Sequence, residues 1–133
     1  MSQENVEIVR RIYGAAESRD TETIFALYDP AVELDGSRVA LPGHEMIYRG
    51  HAGLREFFRV WHEAWGEVEY DYKELIDAGE HVVAFVDRHA RGRTSGVDVA
   101  MQYSLVWTLR GGKAVRVVWY TDRAEALEAA GVS

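Results

Sequence analysis

The chain has 133 residues, 47% of them hydrophobic, and its 15 basic and 22 acidic side chains give a formal net charge of −7. This length suits one domain with one core, covering residues 1–133, and the acidic balance is a poor match for a phosphate backbone, which excludes nucleic acid as an expected partner. No apolar run approaches the roughly 20 residues that span a membrane, so we expect no membrane partner, and the polar N-terminus predicts a cytoplasmic protein.

Two short amphipathic helices are predicted at the start of the chain. Apolar residues recur at helical spacing across residues 3–18 and again across residues 21–28. The pair Asp29-Pro30 ends the second helix, because the residue before a proline resists the helical conformation. Residues 31–35 then have the pattern of a short strand.

A long loop and a third helix follow. Residues 36–48 contain two glycines and a proline without clear periodicity, which predicts a loop or a loose hairpin. Loops of this length in a compact domain often form a lid or the rim of a pocket. The third helix is predicted over Gly50–Trp65, where a wide apolar stripe repeats at helical spacing, and Gly66 ends it.

Four strands are predicted in the second half of the chain, because the hydrophobic period changes to two at Glu67. Of these four strands, the second is predicted over about 81–91, the third over about 99–109 and the last over 114–122. A short helical tail follows. The segment Arg110-Gly111-Gly112-Lys113 is typical of a hairpin turn. Helices followed by antiparallel strands predict an α+β fold: a conical barrel of a curved, mostly antiparallel sheet wrapped around the N-terminal helices, with a central pocket.

The chain resembles the SnoaL-like branch of the nuclear-transport-factor-2-like superfamily, and it is similar to many actinobacterial proteins of that branch. The segments that carry the resemblance are 4–11 (ENVEIVRR), 48–58 (YRGHAGLREFF) and the ending from 112 to 131. The resemblance covers essentially the whole chain and implies the conical α+β barrel, usually as a homodimer built on the outer face of the sheet. Relatives include ketosteroid isomerases, polyketide cyclases, dehydratases, epoxide hydrolases and non-catalytic binding modules, so a shared fold does not select the function.

Asp35 is the first candidate catalytic residue. By resemblance it falls where ketosteroid isomerases carry their general base, and burial at a pocket wall would raise its pKa toward that use. The alternative is a turn aspartate before Gly36 that bonds its own backbone. The isomerases also use a helix-one tyrosine and a strand acid; these positions fall on Ile12, beside Tyr13, and on Leu105, which cannot donate a hydrogen bond. Steroid-isomerase chemistry in its known form is therefore not expected.

Asp87 and His89 form the second candidate, because they alternate with Arg91 on one face of the second long strand. On an inward face these residues could make an acid/base relay, as in polyketide cyclases, or position water, as in epoxide hydrolases. Alternatively this face points outward, into solvent or a dimer interface. Both faces of the strand are apolar near its start, which indicates that the outer face is also covered, as a homodimer would do.

Aromatic residues are predicted to form the pocket wall, and such walls with a few polar tips suit a planar or polycyclic apolar ligand. Tyr103 is the preferred polar tip and a candidate catalytic residue. For each aromatic residue the alternative is ordinary core packing. The predicted ligand-binding residues are Tyr13, Tyr28, Phe58, Trp61, Met101, Leu105, Trp107 and Trp119.

No motif points to a metal or a cofactor. The chain has no cysteine, its histidines lack the spacing of a zinc site, and no glycine-rich phosphate loop follows a strand. Arg88, Arg91 and Arg93 form one basic cluster, but Asp87 and Asp98 lie close by, which indicates local charge compensation or a hairpin tip.

Two functions of different classes stay open. The first is a cofactor-independent isomerase, cyclase or hydrolase that acts by acid/base chemistry on an apolar carbonyl- or epoxide-containing substrate, with Asp35 or the Asp87–His89 pair as base and Tyr103 orienting the substrate. The second is a non-catalytic binding module, or a dimeric interaction domain, for an apolar small molecule; a purely structural dimer with a collapsed core is a third possibility. Two polar groups facing one cavity would favour the enzyme.

Overall fold

The structure, a computed structural model, describes residues 2–39 and 46–132, without the side chains of Ser2, Glu67 and Lys73. The helices in the described ranges are α1 (Ser2–Ser18), α2 (Thr21–Leu27), α3 (Gly50–Ala64) and α4 (Arg123–Ala129). The strands are β1 (Tyr28–Asp35), β2 (Ile47–Arg49), β3 (Trp65–Ala78), β4 (His81–Gly92), β5 (Asp98–Arg110) and β6 (Lys113–Tyr120). Residues 40–45 of the loop that was predicted to form a lid or a pocket rim lie outside the described residues, so that role stays a prediction.

The six strands form one sheet in the order β2-β1-β6-β5-β4-β3. Neighbouring strands run antiparallel except β1 and β6, which run parallel. Irregular register between Tyr72 and Glu74 on β3 and between Thr108 and Leu109 on β5 interrupts the ladders, and such irregularities bend strands. The sheet therefore curves around the helices without closing, and the predicted α+β fold is confirmed.

The inner face of the curved sheet packs against α1, α2 and α3. Because side chains alternate along a strand, Val82, Ala84 and Val86 of β4 all point into this interior, together with Leu105 and Trp107 of β5. The next residues in that alternation on β4 therefore also face inward. None of the described helices is long and apolar enough to cross a membrane.

The outer face of the sheet carries a second apolar cluster, and α4 covers it. The cluster consists of Val83, Phe85, Val106, Val118 and Tyr120 of the sheet with Ala126 and Ala130 of the C-terminal segment. Arg123 at the start of α4 lies 3.9 Å from the centre of the Phe85 ring and pairs with Glu74 at 2.9 Å. The apolar outer face of β4, which the sequence analysis attributed to a homodimer, is thus buried by a helix of the same chain, and the homodimer stays a prediction without this support.

Candidate functional site

Arg88 is the one charged residue of the described chain that is buried, with 4% of its surface exposed. It follows Val86 in the inward alternation of β4 and therefore enters the interior between the sheet and the helices. Its guanidinium carbon lies 4.2 Å from the ring centre of Trp61, 5.0 Å from that of Tyr103 and 5.2 Å from that of Tyr70. Three aromatic rings thus surround the positive charge.

Two of the three guanidinium nitrogens of Arg88 have no hydrogen-bond partner among the described residues. Its Nε and Nη1 atoms are fully buried and have no hydrogen-bond partner among the residues that the structure describes. A guanidinium keeps its charge in proteins, and a buried charge without a partner costs several kcal/mol. Each cation–π contact offsets about 0.5–2 kcal/mol of that cost. The interior therefore presents a fixed positive charge with free donors.

The tyrosines of the interior do not supply a negative charge. Burial raises the pKa of Tyr13, Tyr28, Tyr70 and Tyr103, and the nearby positive charge of Arg88 offsets only part of this rise. All four side chains are consequently neutral phenols at pH 7, so they can donate or accept hydrogen bonds but do not neutralise Arg88.

The predicted ligand-binding residues lie on the inner side of the sheet or on helices that face it. Tyr13 on α1 accepts a hydrogen bond from Trp107 Nε1 at 3.3 Å, and its ring lies 5.5 Å from that of Tyr72. Tyr103 Oη donates to Met101 Sδ at 3.3 Å. The side chains of Tyr13, Tyr28, Trp61, Leu105, Trp107 and Trp119 are buried, and those of Phe58, Met101 and Tyr103 are half-buried.

The cavity that the structure describes in the interior is small. A cavity of about 20 Å³ lies between α1, α3 and β3, lined by Phe58, Trp61, His62 and Tyr70 among others, which is room for about one water molecule. Val99, Met101 and Tyr103 of β5 are only half-buried. A ligand larger than a water molecule would have to displace side chains to occupy the small cavity.

Asp35 lies away from this interior, on the side of β1 opposite to Leu34. Its carboxylate accepts hydrogen bonds from the backbone N–H of Ser37 at 2.9 Å and from Ser37 Oγ at 2.6 Å, and it lies 3.5 Å from Arg116 Nη2. Burial raises the pKa of Asp35, but the hydrogen bonds from Ser37 and the charges of Arg116 and Arg38 outweigh it and lower the pKa below its ordinary value. This direction is opposite to the rise expected for a general base, and the contacts fit the alternative of a turn aspartate.

We expect Asp35→Asn to fold and to be less stable than the wild type at pH 7 by about 1 kcal/mol, because the amide forms weaker hydrogen bonds with Ser37 and loses the attraction of Arg116. Since the folded protein lowers the pKa of Asp35, this advantage of the wild type is present above the pKa of the unfolded chain, about 3.9, and disappears as the pH falls through the lower folded value. Urea unfolding of the variant and the wild type at pH 7 and at about pH 3 measures the stability difference and its decrease at low pH.

The matched control for this variant is Asp98→Asn, whose carboxylate makes an exposed pair with Arg91 and contributes little to stability. Equal stability of Asp35→Asn and the wild type at pH 7 would contradict a structural role for Asp35.

Asp87 and His89 lie on the outer face of β4, opposite to the face that carries Arg88. In the register with β5 they stand beside Gln102 and Ala100. His89 lines an open concavity of about 930 Å³ at the end of the sheet, together with the exposed Arg91. The structure therefore does not bring the predicted relay to the interior, because the strand alternation turns the relay outward.

Arg88 is the site residue that sequence analysis missed, because it was assigned with Arg91 and Arg93 to local charge compensation or a hairpin tip. The signal for its burial was present: Arg88 continues the apolar alternation of Val82, Ala84 and Val86 and precedes the buried Ala90. In the described part of the chain, no three histidine, aspartate or glutamate side chains are grouped as a metal ion would require.

Comparison with known proteins gives a consistent result. Residues 9–117 match the SnoaL-like domain family. Among solved structures, TerC co-crystallised with polyporic acid is 27% identical, with a TM-score of 0.78 over 96% of this chain and 98% of that chain. An NTF2-like protein of unknown function from Burkholderia pseudomallei is 26% identical, with a TM-score of 0.80 over 96% of this chain and 97% of that chain.

A more distant structure shares the fold alone. It is a hypothetical protein with a ketosteroid isomerase-like fold from Catenulispora acidiphila, 13% identical, with a TM-score of 0.74 over 96% of this chain and 94% of that chain. No curated protein matches the chain.

Proposed function

Because the chain belongs to the SnoaL-like domain family, we propose that it binds an aromatic small molecule in the interior of the cone, where Arg88 holds an oxygen of the ligand. The observation that carries this proposal is that Nε and Nη1 of Arg88 are buried and that no described residue accepts a hydrogen bond from them. Folded proteins pair nearly all buried donors, and a donor left unpaired needs an explanation. A ligand oxygen would provide the missing acceptor.

The surroundings of Arg88 suit a planar ligand. Trp61, Tyr70 and Tyr103 present flat apolar surfaces around the charge, and aromatic walls with a few convergent polar groups are typical of small-molecule sites. TerC, one of the similar structures, was co-crystallised with polyporic acid, which supports a small-molecule ligand for this chain as well. The proposed activity needs no cofactor, and neither nucleic acid nor a membrane is proposed as a partner.

Proton transfer at a carbonyl group held by Arg88 is the second candidate function. Arg88 could polarise such a carbonyl, and His62 lines the small cavity beside Trp61 and Tyr70. Burial lowers the pKa of His62, and the charges of Arg19 and Arg93 lower it further, so the imidazole is neutral at pH 7 and can accept a proton. Because Asp35, Asp87 and His89 lie outside the interior, this candidate replaces all three expected bases with His62.

The proposed binding function is tested by calorimetric titration with 2-naphthoate, a planar aromatic molecule with an oxygen-bearing group. We expect binding to the wild type and at least tenfold weaker binding to Arg88→Gln, since a hydrogen bond to a charged group contributes about 1.5–3 kcal/mol. The control Arg91→Gln removes an arginine from the outer face of the same strand and should bind like the wild type. Equal binding by Arg88→Gln, or no binding by the wild type up to about 1 mM, would contradict the proposal.

A further inference from the structure

We infer that the ligand of the interior site is an aromatic anion, such as a carboxylate or an acidic phenolate or enolate, whose negative charge is the counter-charge that Arg88 lacks. This inference rests on the proposed function and narrows its ligand class. The inference follows from the charges around Arg88, whereas the proposed function follows from its unpaired donors. Either of them can therefore fail without the other.

The neighbours of Arg88 on both adjacent strands are uncharged. In the sheet register it stands beside Tyr70 on β3 and Met101 on β5. From the helix side, Trp61 of α3 lies against the guanidinium. The contacts that the structure describes for the guanidinium are thus with uncharged aromatic rings of α3, β3 and β5.

Two acidic residues of the described chain come near Arg88, one next to it in sequence and one near Tyr70 in space. Asp87 precedes Arg88, but strand alternation places it on the outer face. Glu17 lies at the small cavity near Tyr70, where its Oε2 accepts the backbone N–H of Tyr70 at 2.9 Å. Among the described residues, no carboxylate forms an ion pair with Arg88. A buried charge without a counter-charge normally destabilises a protein by several kcal/mol.

A neutral ligand would satisfy the donors of Arg88 but would leave its charge uncompensated in a site of low dielectric. An anion would satisfy both, and charge-assisted hydrogen bonds are about twice as strong as neutral ones. The chain as a whole carries a net charge of −7, so long-range attraction does not favour anions. Selectivity for an anion must therefore arise from the buried contact with Arg88.

The test compares 2-naphthoate with 2-naphthamide, which share a ring system and differ in charge, by calorimetric titration of the full chain. We expect the wild type to bind naphthoate at least tenfold more tightly than naphthamide. The ratio should fall to about one in Arg88→Gln and persist in Arg91→Gln. It should also change little between low and high salt, because a buried pair is poorly screened.

The outcomes separate the inference from the function on which it rests. If the wild type binds both molecules equally and Arg88→Gln weakens the binding of both, the inference of an anionic ligand is wrong and the proposed binding function stands. If the wild type binds neither, both are wrong. Should Arg88→Gln fail to fold, the naphthoate to naphthamide ratio of the wild type and its salt dependence decide the question without the variant, and a ratio of one or a strong salt dependence overturns the inference.

Discussion

Arg88→Met is expected to unfold at a higher temperature than the wild type in the absence of ligand. Methionine occupies a similar apolar volume among Trp61, Tyr70 and Tyr103, and it removes a buried charge that has no counter-charge among the described residues. Replacing buried ionic groups by well-packed apolar residues is often neutral or stabilising by 1–4 kcal/mol. Since the three cation–π contacts are lost, we expect a gain of about 1–2 kcal/mol, or roughly 4–7 °C in Tm.

The measurement is thermal and urea unfolding of the two proteins, followed by circular dichroism. Arg91→Met is the matched control, because Arg91 is exposed on the outer face of the same strand and its replacement should change stability by less than about 0.5 kcal/mol. A loss of more than about 1 kcal/mol in Arg88→Met would show that the aromatic rings more than compensate the charge. Arg88 would then be a structural residue. A gain in stability together with lost naphthoate binding is the pattern of a functional residue kept at the expense of stability.

Trp61→Ala is expected to lower the free energy of unfolding by about 3–5 kcal/mol, because it removes a large buried side chain from the face of α3 that packs against the interior. Only 2% of the Trp61 surface is exposed, and its ring makes the shortest of the three contacts with Arg88. Trp61→Phe keeps an aromatic ring and should lose much less stability. Urea unfolding of both variants gives the two values.

A double-mutant cycle isolates the contact between Trp61 and Arg88. We expect Trp61→Ala to cost less in the Arg88→Met background than in the wild type, by about 0.5–2 kcal/mol, because the cation–π contact is then already absent. An identical cost in both backgrounds would mean that the ring stabilises the fold through packing alone.

Much of the fold could be predicted because the hydrophobic period is strong in its long elements. Helix α3 was predicted over Gly50–Trp65 and ends at Ala64, and the four later strands occur in the predicted order. Strand β1 begins at Tyr28, inside the predicted second helix, because residue 28 already pairs with Ala114 on β6. Such a long-range pairing leaves no local pattern. Strand β2, with three residues, is too short to show a period. It pairs antiparallel with β1 at the end of the segment that was predicted as a loop or a loose hairpin.

The site was harder to predict than the fold, for two physical reasons. Strand β4 is apolar on both faces near its start, because α4 covers one face and the N-terminal helices cover the other, so hydrophobicity alone did not identify the inner face. Arginines are mostly exposed, which led to the grouping of Arg88 with Arg91. Asp35 was selected by resemblance, with a turn aspartate as the stated alternative. Its contact with Arg116 depends on a parallel strand pairing that the sequence does not display.

A crystal structure of the protein with 2-naphthoate tests the central claim most directly. The account predicts a carboxylate oxygen within about 2.7–2.9 Å of Arg88 Nε or Nη1, with the naphthalene ring against Trp61 or Tyr103 in the interior. Naphthoate bound instead in the open concavity beside His89 and Arg91, with no ligand oxygen near Arg88, would contradict the account.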